Sequence, residues 1–339
     1  MRNHEVTKRQ LLLTEVGQLR EPGWSRTMVQ EYKRSMIKAP AFRIKEWDYY
    51  LVTGKEFAAA FTISDDGDVG LQSVSLLYLG DRPWEHTETI LNVFPMGKLK
   101  LPEDSSVGDT VYEDKRLSLS YRLSEGKRQI SCRFTDFCEK KPLKAEITLY
   151  QPEMDTMVIA TPWDRKHAFY YNQKINCMRA EGYVEYNGMR FEFDPKTDFG
   201  TLDWGRGVWT YDNTWYWGSG NADLNGKPFG FNIGYGFGNT KAASENVIFY
   251  DGKAHKIDDV TFLIPHNYTD PWKFTSSDGR FETDFYPILD RAANMDFKVI
   301  VSDQHQVFGR MSGKAVLDDG TELHFTDILC FAEKVHNKY

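Results

Sequence analysis

Residues 198–239 read DFGTLDWGRGVWTYDNTWYWGSGNADLNGKPFGFNIGYGFGN, and the second half of this stretch decides the fold class. Asn225-Gly226 asks for a type I′ turn, because both central residues of that turn need φ > 0. A hairpin centred there sets Trp217 opposite Gly234, Trp215 opposite Gly236 and Ser219 opposite Asn232. Tyr216/Tyr235, Gly218/Ile233 and Gly220/Phe231 share the other face, since side chains alternate with a period of two. One face thus lays two indoles over nearly bare backbone. That is either aromatic cover of strand glycines, a packing device, or the wall of a pocket. In the second case Trp215 and Trp217 are ligand-binding, with Ser219, Asn221, Asn232 and Tyr235 as further contacts.

Upstream, Asp203-Trp204-Gly205-Arg206-Gly207 packs a carboxylate, an indole and a guanidinium between glycines without alternation. It reads as a loop entering the hairpin, and loops on a rigid β scaffold are where function concentrates. Asp203 and Arg206 either pin that loop as an ion pair or supply acid–base and orienting groups.

Outward from here the same pattern recurs. Asn-Gly or Asp-Gly turns stand at 66, 187, 225, 251, 278 and 319. Around Asn187-Gly188, Val184 faces Phe191, Gly182 faces Phe193, and Glu185 faces Arg190. Around Asp319-Gly320 the expected pairs are Val316/Leu323, Ala315/His324 and Ser312/Asp327. Leu117, Leu119, Tyr121 and Leu123, then Ile130, Cys132 and Phe134, alternate with polar residues as a half-buried hairpin does. No stretch shows the helical spacing between strands that βαβ units need. One short helix is expected over about 26–37, with Ser25 as N-cap and Met28, Tyr32 and Met36 on one face. The fold class is therefore all-β: two antiparallel β-barrel or β-sandwich domains behind an N-terminal arm. Pro152 and Pro162 suggest the divisions 1–42 (arm), 43–160 and 161–339.

The 339 residues hold 22 Phe, 18 Tyr and 9 Trp, enough for a large core, and the length suggests about two domains. A net charge of −7 with no basic stripe argues against nucleic acid as a partner. No apolar run approaches the ~20 residues of a membrane span. The start, MRNHEVTKRQLLL, has too short an apolar run for a signal peptide, so the expectation is a cytoplasmic protein. Cys132, Cys138, Cys177 and Cys330 form no CxxC pair, the histidines are dispersed, and nucleotide-loop motifs are missing, so neither metal nor cofactor is expected.

The runs DWGRGVWTYDNTWYWGSG, PFGFNIGYGFGN, ENVIFYDGKAHKIDDVTF and TDILCFAEKV, with GQLREPGWS and KEWDYYLV near the start, resemble a bacterial family known as domain of unknown function 2804. The resemblance covers nearly the whole chain. More distantly the chain is similar to the group of carotenoid 1,2-hydratase (hydroxyneurosporene synthase), AttH and fungal Diels–Alderases. That likeness implies two lipocalin-like barrels with a mostly apolar ligand pocket between or within them. It also implies non-redox, cofactor-free chemistry such as hydration, cyclisation or isomerisation.

The candidate catalytic residues are Asp203, Arg206, Tyr211 and Glu245, and the candidate ligand walls Trp204, Trp209, Trp215 and Trp217. The Asp251-Gly252 turn places Glu245 opposite Asp258, where two carboxylates either share a proton or sit wet at a strand end, the second being the simpler reading. Asp327 and Glu333 read as ties for the last strand. The functional expectation is a small-molecule-binding barrel protein, with a hydratase-, cyclase- or isomerase-type activity. The alternatives are glycoside cleavage, by paired carboxylates about 5–10 Å apart and stacking Trp faces, and a non-catalytic structural role.

Overall fold

Short turns that favour positive φ make a chain fold back on its neighbour again and again, and the strands between them pair in sequence. A computed structural model describes residues 2–296 and 301–338. Asn187, Asn225 and Asp251 all have φ between 50° and 57°, each followed by a glycine at 76–79°. The hairpins at 187 and 225 have the expected register, including Trp217 opposite Gly234 and Glu185 opposite Arg190.

Among the described residues these strands form two large antiparallel sheets, each curled into a lipocalin-like barrel, and one two-stranded ribbon. The first sheet runs from edge strand Trp84–Val93 through Val69–Tyr78, Phe57–Asp65, Ile44–Thr53, Phe199–Val208 and Phe169–Tyr186 to Thr110–Glu113. The second places Asp212–Leu224 between Lys227–Tyr235 and Glu322–Lys338, followed by Val301–Val316 and Phe281–Asp296. The chain crosses between the sheets at residues 209–211. Phe169–Tyr186 and Phe199–Val208 therefore belong to the first sheet, on the far side of the 160/161 division that the prolines suggested.

Three apolar clusters follow. The first barrel encloses Val52, Phe61, Leu119, Phe134 and Trp204. The second encloses Phe231, Ile248, Trp272, Phe281 and Phe325. Between the barrels lies a third, with Tyr49, Leu51, Tyr170, Trp217, Phe249 and Phe331. Strands facing this middle layer are buried on both faces, which removes the alternation a half-exposed strand shows. That corrects the reading of Asp203–Gly207 as a loop: it is the heart of strand Phe199–Val208, buried at every position.

Two further expectations change. The helix over 26–37 does not form. The arm is extended there, with strands Gly23–Ser25 and Gln30–Glu31 and a single 3-10 turn at Arg34–Met36. Tertiary anchoring overrides the helical spacing: Trp24 lies opposite Ile159 in the first sheet, and the Tyr32 hydroxyl donates to Glu46 Oε1 at 2.7 Å. At Asp319-Gly320 the loop has three residues, Leu317 N–H donating to Thr321 O at 2.9 Å. This sets Val316 opposite Glu322 and Ala315 opposite Leu323, one residue from expectation. A bulge after Met311 absorbs the slip, so that Asp327 N–H still meets Ser312 Oγ at 2.9 Å.

Gly205 shows how the glycines of the central strand serve the layer between barrels. A Cβ there would lie 2.0 Å from the Trp47 ring. Gly205→Ala should displace that indole and cost about 1–3 kcal/mol, the usual penalty for overpacking. Denaturant unfolding checks this; an unchanged midpoint with an unchanged Trp47 environment would contradict it.

Candidate functional site

Period-two alternation splits the 203–207 run between two environments. Asp203, Gly205 and Gly207 face the second barrel, whereas Trp204 and Arg206 point into the first. On the Asp203 side the barrels leave a cavity of about 250 Å³. Its walls are Trp47, Tyr49, Tyr170, Trp209, Trp215, Trp217 and Phe237. Trp209 is the hub of this box, edge-on to Trp47 at 5.5 Å and to Trp215 at 5.3 Å between ring centres. Two larger depressions, about 480 and 540 Å³, are lined mostly by turn and strand-end residues and carry no such aromatic wall.

Several strands build the polar side of the cavity and the groups behind it. Strand Phe169–Tyr186 supplies Lys174, buried to 1%, whose Nζ lies 2.9 Å from Asp203 Oδ1 and 3.8 Å from the centre of the Trp217 ring. Asn172 Nδ2 donates to the same Asp203 oxygen at 2.5 Å. Strand Glu322–Lys338 supplies Glu333, opposite Trp217 in register. Trp215 Nε1 donates to Glu333 Oε1 at 3.0 Å, and Gln306 Nε2 donates to Oε2 at 2.9 Å. Burial pushes the Glu333 carboxyl up to about 7, against the pull of those two donors and of Lys174 and Arg291. It is thus half protonated near neutral pH, where a proton donor or acceptor works best.

Behind the Tyr170 wall sits Glu245, with 1% exposure and no hydrogen-bond partner of good geometry for either oxygen. Burial raises its pKa, and Lys174 opposes the rise. Gly234 makes room for it, since a Cβ there would stand 3.3 Å from Glu245 Oε2. Of the two readings of Glu245 and Asp258, proton sharing does not occur, because the Asp258 carboxylate turns away to Arg2 at 3.1 Å; nor does Glu245 sit wet, since it is 1% exposed.

Of the residues singled out from sequence, Asp203, Trp209, Trp215 and Trp217 line the cavity. Asn232 stands behind it, accepting from Trp217 Nε1 at 2.7 Å and donating to Glu245 O at 3.0 Å. The others lie elsewhere. Arg206 is fully buried in the first barrel, donating to Trp47 O, Pro102 O and Asp48 Oδ1, and its guanidinium lies 4.1 Å from the Trp204 ring centre. No Asp203–Arg206 pair forms, because neighbours three apart on a strand face opposite ways. Trp204 packs edge-on to Tyr32 and Tyr171 in that same core. Ser219 and Asn221 accept from Asn176 Nδ2 at 2.8 and 3.0 Å, so they clamp the two sheets at the Cys177 bulge. Tyr235 stacks on Tyr216 at 4.5 Å on the second barrel's inner face. Tyr211 is half exposed on the crossing segment.

Lys174, Gln306 and Arg291 escaped the sequence reading, which took Glu333 only as a tie for the last strand. Glu333 carried a usable signal: it shares the parity of Leu329, Phe331 and Val335, a lone carboxylate in an inward row.

The family model for a domain of unknown function (DUF2804) matches residues 3–339. The chain belongs to this family. Among curated proteins no sequence matches it. The solved structure of CghA with Sch210972 resembles it with a TM-score of 0.51 at 10% identity, over 98% of this chain and 97% of that one. An AttH-type protein from Nitrosomonas europaea gives 0.52 at 13% identity, over 90% and 96% of the two chains. At such identities the likeness is one of fold, and it extends over both barrels. Among the described residues no helix is long and apolar enough to cross a membrane.

Proposed function

We propose that this protein binds a small, largely apolar molecule between its barrels and acts on it by proton transfer at Glu333, without redox chemistry. One observation carries the reading: a buried carboxyl with a pKa near 7 is held by two donors at an aromatic cavity of about 250 Å³. That volume lies just below the usual range of about 300–1,000 Å³ for ligand sites, so the ligand is small. The fold shared with CghA, a protein crystallised with the small molecule Sch210972, supports the same reading. Glycoside cleavage has less support, because Asp203 is committed to Lys174 and Asn172, and Asp66, the other carboxylate at the cavity wall, accepts from Ser64 Oγ at 2.9 Å.

A fluorescence titration with a panel of small unsaturated hydrocarbons, ketones and acids tests binding. Saturable quenching is expected in the wild type and a loss of about tenfold or more in affinity in Trp217→Ala, since a buried aromatic wall is worth several kcal/mol. Bound compounds incubated in D2O should gain deuterium with the wild type and not with Glu333→Gln. No saturable binding, or equal deuterium incorporation by the variant, would overturn the proposal.

A further inference from the structure

We infer that the ligand carries an anionic oxygen head, a carboxylate on an otherwise apolar body, and that Arg291 holds it. The inference rests on the cavity being the ligand site. Three cations stand at or beside this cavity. Lys45 Nζ lies 3.1 Å from Asp68 Oδ1, and Lys174 Nζ lies 2.9 Å from Asp203 Oδ1. Arg291 lines the cavity, donates from Nη1 to Ser75 Oγ at 2.7 Å, and among the described residues has no carboxylate within ion-pair distance.

A guanidinium carries five N–H donors in a planar fork that matches a carboxylate edge-on. One contact to a hydroxyl leaves most of that capacity unspent. Arg26 and Arg179 have acidic partners, Asp155 at 2.8 Å and Asp223 at 2.6 Å, whereas buried Arg128 spends its donors on Gln151, the Tyr50 hydroxyl and Ser105 O and so needs none. Arg291 differs in facing an aromatic box, where an unpaired cation is costly and a ligand anion would complete it.

The placement also says how the ligand lies. Arg291 sits opposite Gln306 in register, and Gln306 is the residue that holds Glu333. The guanidinium charge is felt at both Tyr49 and Glu333. A head group on Arg291 therefore comes to rest near Glu333, with the body running between Trp47, Trp209 and Trp215. Ser75 belongs to the first barrel and Arg291 to the second, so the head-group site needs both barrels. The cavity volume admits a body of one or two rings.

Calorimetric titration with 2-naphthoate and 2-naphthamide, which differ only in the charged head, tests this on the full chain. The acid should bind about tenfold tighter or more, the worth of one charge-assisted hydrogen bond. Arg291→Gln should bring the acid down to the amide, Arg291→Lys should keep part of the preference, and Ser75→Ala, which leaves the guanidinium in place, should keep most of it. An anion beside Glu333 favours its neutral form, so acid binding near pH 7 should take up protons, measured in two buffers of different ionisation enthalpy, and Glu333→Gln should abolish that uptake. Equal affinity of acid and amide in the wild type, or a preference that survives Arg291→Gln, would overturn the assignment of the head group. Failure of both compounds to bind would contradict the ligand cavity itself.

Discussion

Lys174→Met should destabilise the protein by about 3–5 kcal/mol, the cost of stranding a buried charge whose partner has been removed. Lys174 is nearly inaccessible and touches Asp203 at 2.9 Å. It also holds down the pKa of Glu245 and of Glu333, so its loss drives both further toward the neutral acid. Burial already raises the pKa of both Glu245 and Glu333, so these carboxylates stay ionised only with the help of nearby cations. Replacing both partners, Lys174→Met with Asp203→Leu, should recover much of the loss, because a buried pair is often worth little relative to apolar groups that fill the same space. The midpoint of guanidinium unfolding measures each variant. A single substitution costing under about 1 kcal/mol would show instead that solvent screens the pair, as it does on a surface.

The second large effect is a pH dependence. The Glu333 carboxyl has an ordinary value of 4.5 and stands at about 7 in the fold. Between those two values the folded state holds more protons than the unfolded state, so stability falls as pH rises through the window. The full fall is about 3 kcal/mol at 1.36 kcal/mol per unit, complete above pH 7. Burial also raises Asp66, to about 6, which tilts the wild-type curve in the same direction. The informative quantity is therefore the difference between wild type and Glu333→Gln. That difference should move in the variant's favour by up to about 3 kcal/mol from pH 5 to pH 8. A difference that stays flat over this range would place the Glu333 carboxyl near its ordinary value and remove it as a proton donor at neutral pH.

How far the sequence reveals this site depends on which faces of a strand are buried. Hairpins with one wet face, such as Val184–Arg190, are legible because charge and apolar residues alternate and the Asn187-Gly188 turn fixes the register. Strand Phe199–Val208 is buried on both faces, so Asp203 and Arg206 look like neighbours in a loop although they serve different barrels. The aromatic half of the site was visible in Trp209, Trp215 and Trp217. Of the polar half only Asp203 was read as a site residue, because Lys174, Arg291, Gln306 and Glu333 come from four strands spread over 160 positions of the chain and meet only once the barrels pack. Arm residues Met28, Tyr32 and Met36 illustrate the opposite error: their helical spacing is real, and their burial comes from an extended segment laid across the first barrel.

Native mass spectrometry of the freshly purified protein, wild type beside Thr62→Trp, tests the central claim most directly. Thr62 lines the cavity from strand Phe57–Asp65 and touches none of the carboxylate cluster, so an indole there fills the space and leaves the chemistry intact. The account predicts that the wild type retains an added small apolar acid through the spray and that the filled variant does not. Retention of that compound equally by both proteins would mean that it binds somewhere other than the cavity between the barrels.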